Sequence, residues 1–258
     1  MSTRTPLPAQ RTAVITGAAS PRGIGRATAE RLARQGWSVA ILDVDGAGAA
    51  HAAADIAGGC SVPTVGIAAD ISQEESVEAA IAEIESTMPP IIGVANVAGV
   101  SSPIEFLDVT AAEWDRVFDV NMRGTFLVTR RVVPAMIAAG VGRIVSVSSI
   151  SAQRGGGTYS KVPYSASKAA VIGFSRALAR ELAPYQITVN SVAPGPIDTD
   201  IMGGTLTEER KAQMSADIPM GRVGTVDDVA AVLAFLMSDD AGYITAATYD
   251  VNGGLQIS

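Results

Sequence analysis

A chain of 258 residues with a formal charge of −7 can bury a full core without staples, as one large domain or two small ones. The acidic balance argues against nucleic acid and anionic membranes as partners. One His and one Cys exclude an internal disulfide and leave too few ligands for zinc, so no metal is expected. His51 lies in the alanine-rich run DGAGAAHAAADIAGG and reads as a solvated helix residue, not as the base of a serine triad. The opening MSTRTPLPAQR is polar and unlike a signal peptide, and no apolar run approaches the ~20 residues of a membrane span. A cytoplasmic protein is therefore expected.

Short β-rich runs alternate with longer helical patterns. TAVITG (12–17) reads as a buried strand, and IGRATAERLARQG (24–36) as a helix ended by Gly36. WSVAILDVD (37–45), VPTVGIAAD (62–70) and IIGVANVAG (91–99) read as the next three strands, with helices over 47–57 and 74–88 between them. Helices follow over roughly 110–138, then the strand GRIVSVSS (142–149), a long helix over 164–182 and the strand ITVNSVAPG (187–195). A helix over 225–237 and the strand ATYDV complete the pattern. Strands separated by helices imply a doubly wound α/β fold, with a parallel sheet covered on both faces. Residues 1–10 are expected to form a flexible arm and 11–258 a single Rossmann-type domain. The long irregular segment 196–219 inside it is expected to act as a lid or binding loop.

In such a sheet a ligand binds beyond the carboxyl ends of the strands, where strand order reverses. The first strand ends in TGAASPRGIG (16–25), and Gly17, Gly23 and Gly25 let backbone approach a pyrophosphate at the start of the next helix. The glycine spacing is not GxGxxG, so alone the loop is a weak signal. Asp43 closes the second strand about 20 residues on, where an acid can bind ribose hydroxyls and repel a 2′-phosphate. It favours NAD over NADP, with Asp45 adding charge of the same sign, while Arg22 pulls toward NADP. A glycine loop and such an acid also fit an S-adenosylmethionine methyltransferase. A P-loop NTPase is disfavoured because no GK[ST] follows the glycines.

YSASK (164–168) opens the long helix after the fifth strand. Positions i and i+4 share a helix face, so the Tyr164 phenol and the Lys168 ammonium can enter one site. A nearby cation favours phenolate and brings the tyrosine toward general-base strength. With five Tyr and 19 Lys plus Arg, mostly Arg, a lysine here is a distinctive choice: an ammonium can relay its proton, a guanidinium cannot.

From about residue 11 to 258 the chain resembles the classical short-chain dehydrogenases/reductases. The resemblance rests on an ordered set: TG…GIG (16–25), Asp43, Asp70 in AADIS, Asn96-Val97-Ala98-Gly99, Asn121 in DVNMRGTF, Ser149, Tyr164 to Lys168, and Pro194-Gly195 with Ile197 and Thr199. It implies that Tyr164 passes a proton to or from the substrate oxygen while Ser149 hydrogen-bonds that oxygen. Lys168 would bind the nicotinamide ribose and lower the phenol's pKa, and Asn121 would hold a water linking Lys168 to solvent. The pyrophosphate and adenosine would meet Gly17, Ser20, Arg22, Gly23, Ile24, Gly25, Asp43, Asp70, Ile71, Asn96, Ala98 and Gly99. The Pro194–Thr199 turn would hold the carboxamide. A homo-oligomer, tetramer or dimer, packed through 110–138 and the C-terminal segment, is also implied.

Three departures stand out. The family loop TGxxxGxG is two residues longer here, at Pro21-Arg22, which predicts an enlarged rim beside the adenosine. NNAG reads NVAG. The stretch from Ser149 to Tyr164 is about two residues longer, which makes Ser148 or Ser151 a rival to Ser149. Ser149, Ser151, Gln153, Tyr159, Tyr164, Val100, Pro194 and the lid are expected to wall the substrate pocket. Their polarity leans toward a sugar, polyol or hydroxy acid, with a 3-oxoacyl thioester or other ketone as the alternative substrate. A dinucleotide-binding module without turnover is the non-enzymatic alternative.

Overall fold

The computed structural model describes residues 5–157, 160–202, 204 and 206–257. The expected pocket residue Tyr159, positions 203 and 205 of the lid and the first four residues of the arm lie outside them.

Seven strands form one parallel sheet: β1 (Thr12–Thr16), β2 (Ser38–Asp43), β3 (Thr64–Ala68), β4 (Ile91–Asn96), β5 (Gly142–Val147), β6 (Ile187–Pro194) and β7 (Thr248–Val251). Their order is β3-β2-β1-β4-β5-β6-β7. The direction of building reverses between β1 and β4, and the cleft opens there. Each strand begins or ends within three residues of its expected limits. Strand side chains alternate between two faces, and both are apolar. Ala13 and Ile15 face a layer made by α1 (Ile24–Arg34), α2 (Gly46–Gly59) and α9 (Val226–Leu236), through residues such as Leu32, Ile56 and Leu233. Val14 and Leu42 face the opposite layer of α3 (Glu74–Thr87), α5 (Thr125–Ala139) and α7 (Val162–Leu182), through Ile81, Val128 and Leu182. Burial on both faces is what makes these strands continuous apolar runs.

The helices expected over 110–138 are joined without a loop. They run as α4 (Ala111–Phe118), a π-helical stretch (Asp119–Gly124) and then α5. The wider turn carries Asn121, in keeping with the tendency of π-turns to occur at functional sites. The segment 196–219 is less irregular than expected. It contains α8 (Glu208–Ser215), whose N-terminus is capped by Thr207 Oγ1 accepting from the Arg210 N–H at 3.3 Å. Thr207 followed by two glutamates is a helix-start pattern. The foot of the segment is pinned by Gly224 N–H to Pro196 O and Asp198 N–H to Gly224 O, both 3.0 Å. The second half of the arm is docked rather than loose. Leu7 is buried, its N–H donates to Asp239 Oδ1 at 3.0 Å, and Arg11 lies 4.5 Å from the Trp37 ring centroid. Among the described residues no helix is long and apolar enough to cross a membrane.

Candidate active site

A cleft of about 1390 Å³ lies beyond the carboxyl ends of β1, β2, β4, β5 and β6. Pockets for one small ligand span roughly 300–1,000 Å³, so this cleft has room for a dinucleotide and a second molecule.

The loop after β1 forms its floor. Gly17 has φ +71°, its N–H donates to Leu42 O at 2.8 Å, and a Cβ there would lie 2.6 Å from Ala98 Cα. At Gly25 a Cβ would come within 2.3 Å of Gly17 O. The first turn of α1 therefore rests directly on the loop, and only glycine permits it. Thr16 Oγ1 accepts from the N–H groups of Val97 (3.0 Å) and Ala98 (3.1 Å), which joins this loop to the one after β4. The N-terminus of α1 has no side-chain cap and no acid in its first turn. Its free N–H groups and dipole suit an anion, and a cradle that any side chain would fill fits a pyrophosphate.

Asp43 ends β2 at the lip of the cleft. Its carboxylate accepts from Ala19 N–H (3.0 Å) and Asp45 N–H (3.1 Å), which fixes one negative charge beside the loop. Asp70 also borders the cleft, and its Oδ1 accepts from the N–H and hydroxyl of Ser72. Both acids lie on the β2–β3 side, where the adenosine end is expected.

The opposite wall comes from β5 and α7. Ser149 follows β5 and stands beside the Tyr164 phenol on the cleft wall; its Oγ accepts from Ser151 N–H at 3.1 Å. Lys168, one turn beyond Tyr164, places Nζ 5.9 Å from the phenol ring centroid and donates to Val147 O at 2.8 Å. Burial pushes the Lys168 ammonium down to about 8. Burial raises the Tyr164 phenol, and the Ser149 hydrogen bond opposes that shift. Ser148 spends its hydroxyl on Lys168 O at 2.7 Å, so it offers no rival hydroxyl. Asn121 is fully buried. It accepts from Val100 N–H (2.8 Å) and donates to Val100 O and Ser167 Oγ (both 3.0 Å). It thus ties the loop after β4 to α7. A Cβ on Gly99 would lie 3.1 Å from both Asn121 Oδ1 and Lys168 Nζ, so backbone there runs against the ammonium.

Of the remaining expected residues, Ser20, Gly23, Ile24, Ile71, Ala98, Gly99, Ser151, Pro194, Gly195, Ile197 and Thr199 border the cleft. Four do not. Asn96 lies within the protein, donating to Thr129 Oγ1 and Ser146 Oγ, because the sheet-to-helix interface claims its amide. Gly25 acts through packing. Gln153 turns away to donate to Asp250 Oδ1 at 2.9 Å. Arg22 reaches Asp198 (2.7 Å) and Asp200 (3.0 Å). Those acids follow β6, across the switch from Asp43, so the lengthened rim faces the lid and not the adenosine side. His51 is exposed, 3.5 Å from Asp55 on α2 and remote from this chemistry.

Sequence reasoning missed Arg154, at the end of the short helix α6 (Ser151–Arg154), which also lines the cleft; the lid, expected as a wall, borders it through Gln213 and Met214 among others. Arg154 is exposed and its side chain has no partner among the described residues. Its position, five residues beyond Ser149 in the lengthened SAQRGGG stretch, was the available signal.

The profile of the family described as enoyl-(acyl carrier protein) reductase matches residues 17–256. A protein of Sinorhizobium fredii, described as an uncharacterised short-chain type dehydrogenase/reductase, is 44% identical over 251 residues, covering 96% of this chain and 98% of its own. A 3-oxoacyl-(acyl-carrier-protein) reductase of Aquifex aeolicus is 42% identical over 242 residues (94% and 96%), and a (3R)-3-hydroxyacyl-CoA dehydrogenase of Mus musculus 39% over 252 (94% and 95%). With the parallel sheet, the glycine cradle and the Ser–Tyr–Lys wall on one cleft, the chain belongs to the short-chain dehydrogenase/reductase family of oxidoreductases.

Proposed function

We propose that the protein is an NAD(H)-dependent oxidoreductase acting at the C3 oxygen of 3-oxoacyl or 3-hydroxyacyl thioesters. The observation that carries the reaction type is the Tyr164 phenol beside the Ser149 hydroxyl on the cleft wall, with the Lys168 ammonium one turn away. The substrate class rests on the relatives named for 3-oxoacyl and 3-hydroxyacyl thioesters. The leaning toward a polyol loses one of its supports, since Gln153 is bound to Asp250. Arg154 speaks for a substrate with an anionic tail, because it is an exposed cation at the cleft with no side-chain partner among the described residues.

The substrate oxygen would accept hydrogen bonds from Ser149 and Tyr164. Bound nicotinamide supplies or accepts the hydride. In reduction Tyr164 gives its phenolic proton to the developing alkoxide, while the Ser149 hydroxyl stabilises the charge. The Lys168 cation steadies the phenolate left behind. In oxidation the same groups act in reverse. Gly17, Gly23 and Ile24 would hold the pyrophosphate and Asp43 the adenosine ribose, where its charge opposes a 2′-phosphate. The commitment of Arg22 to two acids removes a cation that could have offset that repulsion.

We further propose a homo-oligomer, packed through 110–138, where Trp114 and Phe126 are partly exposed. A monomer in sedimentation would refute it.

The functional test compares acetoacetyl-CoA reduction by NADH and by NADPH with oxidation of a polyol and sugar panel by NAD. Turnover of the thioester with NADH above NADPH is expected. Turnover of polyols alone would overturn the substrate reading, and tight NADH binding without turnover of any carbonyl would favour the binding module.

A further inference from the structure

The two extra residues of the phosphate loop build something definite. Gly23 N–H donates to Ser20 O at 3.0 Å, so Ser20-Pro21-Arg22-Gly23 closes as a β-turn. Pro21 occupies its second position, where the proline ring favours the required φ. The insertion is thus the corner of a turn, and it projects Arg22 away from the loop.

The projected guanidinium meets the segment after β6. Arg22 Nη2 lies 2.7 Å from Asp198 Oδ1 and Arg22 Nε 3.0 Å from Asp200 Oδ1. Ser20 Oγ donates to Asp200 Oδ2 at 2.8 Å, across 180 residues of sequence. Asp198 Oδ2 is held in turn by Lys211 of α8 at 2.9 Å. The carboxylates after β6 are therefore bound by charge-assisted contacts from the turn on one side and from α8 on the other. Each side of this network touches the cleft: Ser20 and Gly23 border it from the loop, Asp200 and Thr199 from the other wall, and Arg210, Gln213 and Met214 from α8.

We propose that Arg22 is a positioning residue: through Asp198 and Asp200 it clasps the 196–219 lid to the phosphate loop, so that lid docking and dinucleotide retention are linked. The lid's foot is already fixed by the backbone bonds at Gly224. Those bonds hold Asp198 at the foot itself, so the clasp reaches farther out through Asp200 and, by way of the Asp198 carboxylate, through Lys211 of α8. A dinucleotide whose pyrophosphate rests on the loop would have to leave past the clasped edge. This second consequence rests on the dinucleotide reading; the docking of the lid does not. Because the Arg22 and Asp200 side chains are about 40% exposed, salt should weaken the clasp.

The test uses the whole protein and two readouts. Tryptic cleavage after Arg210 or Lys211 reports lid docking without cofactor. Displacement of bound NADH in stopped flow reports retention. Arg22→Ala is expected to accelerate both by about tenfold at low salt, the range of two partly exposed charge pairs, with Arg22→Lys intermediate and the wild type approaching Arg22→Ala at high salt. An unchanged thermal midpoint separates these effects from misfolding; if Arg22→Ala fails to fold, Arg22→Gln takes its place. Equal cleavage in wild type and variant overturns the clasp. Faster cleavage with unchanged NADH release overturns the link. Failure of the wild type to bind NADH or NADPH strikes the dinucleotide reading instead, and the cleavage comparison still decides the clasp.

Discussion

The two sides of the cleft are held by different physics. On the wall proposed for catalysis Asn121, Ser149 and Lys168 are all buried, and their positions follow from strand ends, a π-turn and an i,i+4 helix spacing. On the lid side Arg22 and Asp200 are about 40% exposed, and their geometry rests on ion pairs between distant segments. Buried polar groups without partners are costly, whereas exposed pairs contribute about 0–1 kcal/mol each. Damage to the wall should therefore be severe and insensitive to salt. Damage to the clasp should be graded and should fade as salt rises.

The sharpest contrast comes from Lys168→Met, which keeps much of the side chain's length and removes its charge. It is expected to lower kcat/KM by about 10²–10⁴ at every salt concentration, as steady-state kinetics at two ionic strengths would show. A loss that shrinks in high salt would break the comparison. Ser149→Ala should cost about 10²–10³ in kcat with little change in NADH affinity; a pure KM effect would instead make Ser149 a binding residue.

The pH dependence sharpens the same wall. The folded-state pKa of Lys168 is depressed from 10.5 to about 8 by burial. Below that value the cation is present to support proton donation from Tyr164; above it the pair loses positive charge. Thioester reduction should fall as pH rises through about 8, with the limb belonging to the coupled pair. Without cofactor the same shift has a stability sign. Between pH 8 and 10.5 the unfolded chain binds the extra proton, so Lys168 makes the protein gain stability as pH rises there. Urea melts of wild type and Lys168→Met across that range would measure it; identical slopes would refute the buried-ammonium account.

Smaller effects belong to the exposed edge. Asp43→Asn should narrow the preference for NADH over NADPH by about tenfold, since one charge beside the 2′ position is removed; an unchanged ratio of dissociation constants would remove Asp43 from that role. Arg154→Ala should raise KM for acetoacetyl-CoA several-fold and leave an N-acetylcysteamine thioester, which lacks the phosphates, unaffected. Equal effects on both substrates would show that Arg154 acts on the wall's structure and not on an anionic tail.

Much of the fold is legible in the sequence because the information is local. Apolar runs flanked by turns locate the strands, and Tyr164 and Lys168 share a face by helix geometry alone. What escapes reading depends on contacts between remote residues. Nothing near Arg22 says that it will meet Asp198 and Asp200, so the sequence alone puts the enlarged rim on the adenosine side. Asn96 gives no local sign of being claimed by Thr129 and Ser146, nor Gln153 by Asp250. The π-turn at Asn121 is invisible to a 3.6-residue pattern. The helix in the lid does carry a local signal, Thr207 and the glutamates after it, but the glycines, prolines and polar residues around it make the whole segment read as one loop.

Proton transfer to a carbonyl oxygen by the Ser149–Tyr164–Lys168 wall is tested most directly by single-turnover oxidation of bound NADH. The substrate is acetoacetyl-CoA, the proteins are the wild type and Tyr164→Phe, and NADH affinity is measured for both. The Tyr164→Phe protein is expected to fold and bind NADH as the wild type does, and to oxidise NADH at least about 10² more slowly. Oxidation at the wild-type rate in the Tyr164→Phe protein would contradict the assignment.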